Sequence, residues 1–107
     1  MNNMKLWVDD IRTPPKDWVW AKTYWEAIAY ISEGCVTEIS LDHDLGDTDS
    51  LKEKTGYDVA LYMAEHDIWP GKVFVHSANP VGASNIVKLI QRHHPFWPDL
   101  QWVIWAV

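Results

Sequence analysis

Three short groups of residues hold the chemistry available to this chain. They are Asp9-Asp10 with Arg12 just beyond, Asp42-His43-Asp44, and His76-Ser77-Ala78-Asn79. Clustered carboxylates suit a hard divalent cation, which takes oxygen ligands. Histidine titrates near neutrality and can give or take a proton. Arginine can clamp a phosphate, and serine and asparagine can donate hydrogen bonds to its oxygens. Each group ends an apolar run: Lys5-Leu6-Trp7-Val8, then the stretch from Val36 through Ile39 to Leu41, then Lys72-Val73-Phe74-Val75. Such a run, stopped abruptly by polar residues, reads as a buried strand whose C-terminal tip projects from a sheet. In an open parallel sheet these tips share one edge, where ligands bind. That edge is the expected active site.

The chain has 107 residues and reads as one domain, 1–107, large enough for a core without disulfides or metal staples. Hydrophobic residues make up 48% and charged residues 22%, an ordinary globular balance. A net charge of −6 argues against double-stranded DNA as a partner, because no diffuse basic surface is available. An anionic substrate would need local compensation, which a cation among the aspartates would supply. The eight tryptophans are expected mainly in packing, with base stacking the lesser alternative. Cys35 is the single cysteine, which forbids an internal disulfide and fits a reducing compartment. No apolar run approaches the ~20 residues of a membrane span, so the expectation is a soluble, cytoplasmic protein without a membrane partner.

The elements that must position these groups follow from local signals. Residues 5–8 form a strand, and the loop at 11–17 cannot be helical because Pro14-Pro15 removes donors and restricts the preceding residue. A short strand is expected at 18–22. Thr23 with Glu26 makes a capping box for a helix with Ala27, Ile28 and Ile31 on one face, ended by Gly34. After the strand at 36–41, the polar stretch 46–54 reads as a loop. A helix opens near Thr55 or Gly56, with Tyr57, Ala60, Leu61 and Ala64 as its stripe and Trp69-Pro70-Gly71 as its stop. A strand at 72–75 precedes a helix opened by Asn79-Pro80, with Ile86, Leu89 and Ile90 facing the core and an end near His93-His94-Pro95. A last strand is expected at 102–105. This alternation demands a mainly parallel sheet covered by helices through right-handed crossovers.

So placed, the residues resemble a receiver domain, the flavodoxin-like module of two-component signalling. Asp9-Asp10 match that family's Mg²⁺-binding acidic pair, Asp42 its phosphoacceptor, Gly56-Tyr57-Asp58-Val59-Ala60-Leu61 its glycine-led helix entry, and Ser77-Ala78 its hydroxyl-plus-small pair. The resemblance implies a three-layer α/β/α fold with a five-stranded sheet in the order 2-1-3-4-5. Two departures stand out: the Pro-rich loop replaces the first receiver helix, and no lysine occurs in Trp102-Val103-Ile104-Trp105-Ala106-Val107 to pair with a phosphorylated carboxylate. The chain is more closely similar to the cyclic-phosphate processing receiver domain family, through Leu6-Trp7-Val8-Asp9-Asp10-Ile11-Arg12, Leu41-Asp42-His43-Asp44-Leu45-Gly46 and His76-Ser77-Ala78-Asn79.

That resemblance implies metal-dependent processing of a cyclic phosphate, a 2′,3′-cyclic nucleotide or an RNA end. Asp9, Asp10, Asp42 and Asp44 are the expected ligands of Mg²⁺ or Mn²⁺. His76 is the expected general acid or base, His43 its partner or a metal ligand, and Asp42 belongs to the catalytic group. Arg12, Ser77 and Asn79 are the expected phosphate-binding residues. Competing roles stand beside each assignment. Asp9 or Asp10 could cap a turn, Arg12 could pair with Asp10 or Asp17, a strand-tip histidine could satisfy a backbone carbonyl, and Asn79 could serve as an N-cap. A non-catalytic or phospho-accepting receiver-like module is the alternative function. The missing helix would leave one sheet face thinly covered, to be filled by Trp18, Trp20 or a second copy of the chain.

Overall fold

The computed structural model describes residues 3–45, 54–77 and 79–93, and the backbone of 100–103. Its first four strands are β1 (Met4–Val8), β2 (Val19–Ala21), β3 (Val36–Leu41) and β4 (Lys72–His76). They stand in the spatial order β2-β1-β3-β4, and the backbone of β5 (Leu100–Val103) continues the sheet beside β4. Every pairing is parallel. The receiver-like parallel architecture expected from the resemblance is therefore present. The last strand begins two residues earlier than expected, and residues 104–105, like the loop at 46–53 and the helix end at 94–95, lie outside the described residues.

The helices are α1 (Tyr24–Ser32), α2 (Gly56–His66) and α3 (Pro80–His93). In α1 the Thr23 hydroxyl accepts from the Glu26 amide at 3.1 Å, and the Glu26 carboxylate accepts from the Lys22 amide at 3.3 Å, the reciprocal cap expected. At α2 the Asp58 carboxylate accepts from the Thr55 amide at 2.8 Å. This helix stops at Asp67, which takes a left-handed conformation (φ 51°), before the Trp69-Pro70-Gly71 stop is reached. Its core line is Val59, Ala60 and Met63; Tyr57 and Leu61 flank it half-buried, so the expected stripe was rotated toward the rim. In α3, Ile86, Leu89 and Ile90 are buried as expected, joined by Ala83 and Val87.

Strand alternation splits the sheet into two faces. Leu6, Val8, Ala21, Ile39, Leu41, Val73 and Val75 join the helix residues Ala27, Ile31, Val59, Met63 and Ile86 in one apolar core. Three successive right-handed crossovers, β2 to β3, β3 to β4 and β4 to β5, all step the same way across the sheet. They therefore place all three helices on one face, where α2 packs between α1 and α3. Among the described residues the molecule has two layers, not three. Only the β1–β2 step runs the other way, and it is the step made by the Pro-rich loop rather than a helix.

That loop covers part of the second face. Trp18 meets Trp7 edge-on at 6.0 Å between ring centroids and Phe74 at 6.3 Å. The Trp7 indole N–H donates to the Arg12 carbonyl at 2.9 Å, and that of Trp20 to the Asp9 carbonyl at 2.6 Å. Trp7 is buried, Trp18, Trp20 and Trp69 half-buried, and Trp25 exposed. Among the described residues, no helix is long and apolar enough to cross a membrane.

Candidate functional site

The ladder rows Trp7–Ser40–Phe74 and Val8–Leu41–Val75 bring the strand tips level, so Asp9, Asp42 and His76 follow side by side. The Asp42 amide donates to the Val8 carbonyl at 2.9 Å and the Asp9 amide to the Ala21 carbonyl at 3.1 Å, extending the ladder to the acids themselves. One carboxylate oxygen from each of Asp9, Asp10 and Asp42 lies within 4.8 Å of the other two. Asp9 and Asp42 are buried and Asp10 half-buried.

Asp9 is anchored on both oxygens. Oδ1 accepts from the Ile11 and Arg12 amides, each at 2.8 Å, and Oδ2 accepts from His76 Nε2 at 3.0 Å. Burial pushes the carboxyl up, but the His76 hydrogen bond and the two amides outweigh it and hold Asp9 below its ordinary pKa. Asp42 is the reverse. Its burial, then the Asp9 charge, push it up, against a hydrogen bond from the Ser77 hydroxyl. Asp10 is also raised, by burial and then by the charges of Asp9 and Asp44. One firmly ionised carboxylate thus sits beside two whose negative charge is resisted.

The remaining expected residues are distributed differently from one another. The His76 ring is 1% exposed, stacks on Trp7 with centroids 3.8 Å apart, and engages Ser40 Oγ through Nδ1. With Asp9 ionised, Nε2–H donates to it and Nδ1 accepts from the serine hydroxyl, a tautomer assigned from this network. His76 therefore lies behind the acids, inside the second face, and not on the substrate side expected for a general acid. Arg12 pairs with Asp9, its guanidinium 3.9 Å from Oδ2, rather than with Asp10 or Asp17. Asp44 is exposed and lies outside the close trio, its Oδ1 2.9 Å from His43 Nδ1. Asn79 caps α3: its Oδ1 accepts from the Gly82 amide at 3.0 Å, and its own amide donates to Ser77 Oγ at 3.1 Å.

Two glycines set how closely the helices approach this edge. A Cβ on Gly56 would stand 1.9 Å from the Asp42 carbonyl oxygen, and the Gly56 amide donates to the His43 carbonyl at 2.8 Å. A Cβ on Gly82 would stand 2.3 Å from Cγ of the His43 ring. The start of α2 and the first turn of α3 thus clamp Asp42 and His43 from either side. Ser40 was not anticipated. The only signal was a hydroxyl in an apolar strand, in register with Trp7, on the face away from the core.

A parallel receiver-like sheet with three carboxylates gathered at its C-terminal edge, and a serine hydroxyl bonded to the central one, defines a protein of the receiver class. Within that class, the family model described as the cyclic-phosphate processing receiver domain matches residues 4–92, and the chain belongs to that family. No curated protein matches the chain.

Proposed function

We propose that the domain is a metal-dependent phosphoesterase that opens a cyclic phosphate, carried by a 2′,3′-cyclic nucleotide or an RNA end. The observation that supports this most is the trio Asp9, Asp10 and Asp42, two of them pushed up by burial and mutual charge. The set is all oxygen, compact and short of positive charge, which fits Mg²⁺ or Mn²⁺. Asp9, Asp10 and Asp42 would hold the ion, with Asp44 near enough to add to the local negative field. When bound, such an ion stabilises charge developing on phosphate oxygens and lowers the pKa of water.

The protein's own groups divide the rest. Water adds to phosphorus, one ribose oxygen leaves and takes a proton, and a phosphomonoester results. His43 lines an open cleft one residue from Asp42 and is the proton carrier in this scheme. His76 acts through Asp9, fixing the carboxylate that the Arg12 and Ile11 amides hold from the other side. Ser77 orients Asp42. The phospho-accepting alternative has in its favour the Ser77–Asp42 hydrogen bond and against it the absence of lysine from 102–107.

The test is product release from 2′,3′-cyclic AMP with Mn²⁺ or Mg²⁺ against chelator, for wild type and Asp42→Asn. Metal-dependent turnover that the variant loses is expected. A wild type that binds metal without turnover, or accepts phosphate on Asp42 from a small phosphodonor, would replace the enzyme by the receiver-like module.

A further inference from the structure

Beside the acidic cluster, between the start of α2 and the outer side of α3, lies a cleft of about 300 Å³ lined by His43, Thr55, Tyr57, Asn85, Lys88 and Arg92. Small-molecule sites span roughly 300–1,000 Å³, so this one suits a single nucleotide unit and not an oligomer. Asn85, Lys88 and Arg92 stand at i, i+3 and i+7, a single stripe along α3. Both cations are exposed, and among the described residues neither forms an ion pair. Two cations on one helix face, with no acid paired to them among the described residues, stand out in a chain of net charge −6 with 9 lysines and arginines. The start of α2 adds the Tyr57 ring, which can stack on a base, and its N-cap Thr55, whose hydroxyl proton goes to Asp58 and whose oxygen can accept from a sugar hydroxyl. The nearest acid on that helix, Asp58, is already occupied by the Thr55 amide and hydroxyl.

His43 joins the cleft to the cluster. It follows Asp42 directly, and its ring is fixed against Gly82 of α3. We propose that the cleft binds a nucleoside through its 5′-phosphate, with the phosphate on Lys88 and Arg92 and the base against Tyr57. Taken with the phosphoesterase reading, on which this substrate class rests, the processed nucleotide carries its cyclic phosphate at the acids and a 5′-phosphate at α3. That is the form of a terminal nucleotide of RNA, or its 5′-phosphorylated monomer; a bare nucleoside cyclic phosphate such as 2′,3′-cyclic AMP lacks the α3 contact and is the weaker-binding substrate.

The test uses the full chain in EDTA, followed by ¹H–¹⁵N NMR during titration with adenosine 5′-monophosphate and, separately, adenosine. The monophosphate is expected to shift the amides of Thr55, Tyr57 and residues 85–92, and to bind at least about tenfold more tightly than adenosine, the scale of one charge-assisted contact. Lys88→Gln with Arg92→Gln is expected to weaken the monophosphate by at least about tenfold. The thermal melt should not move, because both side chains are exposed. Equal binding of the two ligands, an undiminished double variant, or no cleft shifts at millimolar monophosphate would reduce the cations to solvated surface and overturn the assignment. Turnover of 2′,3′-cyclic AMP without cleft binding removes this inference alone. Cleft binding without any turnover removes the phosphoesterase and keeps the cleft.

Discussion

Replacing Asp42 with Asn should make the metal-free domain more stable and the metal-loaded one less so. In the cluster Asp42 faces two other carboxylates within 4.8 Å. At that separation a like-charge pair costs about 3.5 kcal/mol at an effective dielectric of ~20 and about 0.9 kcal/mol at ~80. Partial protonation lowers the real figure, since burial and then Asp9 already raise the Asp42 pKa. Asn keeps the size of the side chain and an oxygen to accept from Ser77. The net expectation is a gain of about 1–2 kcal/mol in chelator, seen as a rise in melting temperature of roughly 4–8 °C per kcal/mol. A raised folded-state pKa means that ionising Asp42 costs stability. The wild type loses that contribution as pH climbs from 3.8 through the folded value, so the advantage of the variant should widen toward neutrality and close in acid. With Mn²⁺ at ~100 times its Kd the wild type gains about 2.7 kcal/mol, and the variant little. Thermal unfolding in the two buffers should therefore reverse the order. A variant less stable than wild type in chelator, or an equal gain from Mn²⁺, would refute the electrostatic reasoning.

His76→Ala removes the partner of Asp9 Oδ2 and of Ser40 and opens a cavity under Trp7, so a loss of about 3–5 kcal/mol is expected in urea unfolding; a surface-sized effect would show that the ring does not hold Asp9. Gly56→Ala drives a methyl into the Asp42 carbonyl and should cost about 2 kcal/mol or more, read as a lowered urea midpoint with unchanged slope. Mn²⁺ affinity by calorimetry should fall on acidification from a pH above the ordinary carboxylate value of 3.8, because the raised groups Asp10 and Asp42 take protons first; a fall confined to below that value would contradict the shifts. Thr23→Ala should cost about 1 kcal/mol through the lost α1 cap, checked by the same urea series.

The strands and caps were legible because their signals are local. Apolar runs meeting Asp9, Asp42 and His76, the Thr23–Glu26 pair and Asn79-Pro80 each state their element within a few residues. The acid trio was legible too, once a parallel sheet was inferred, since topology alone sets the tips level. What escaped was side-chain direction and partner choice. His76 stands an odd number of residues from Val73 and Val75 in its strand, which turns it to the second face, toward a serine 36 residues away. Arg12 pairs with Asp9 rather than with Asp10 or Asp17 because its own backbone amide already holds that carboxylate. The cleft on α3 was invisible for the same reason: its residues come from three separate elements, none with a motif of its own.

The Pro-rich segment between β1 and β2 has two duties that cannot be separated. Its first amides grip Asp9, and its end lays Trp18 over Trp7 and Phe74. Trp18 is half-buried, and covering about half of a tryptophan side chain of ~150–250 Å² is worth about 2–3 kcal/mol. Local opening of this segment therefore wets an indole stack and releases a carboxylate in a single event. The protection of the Ile11 and Arg12 amides against hydrogen exchange and the emission of the buried indole should rise and fall together. A cation that tightens Asp9 would be reported through His76, in the light given off by a ring it never touches.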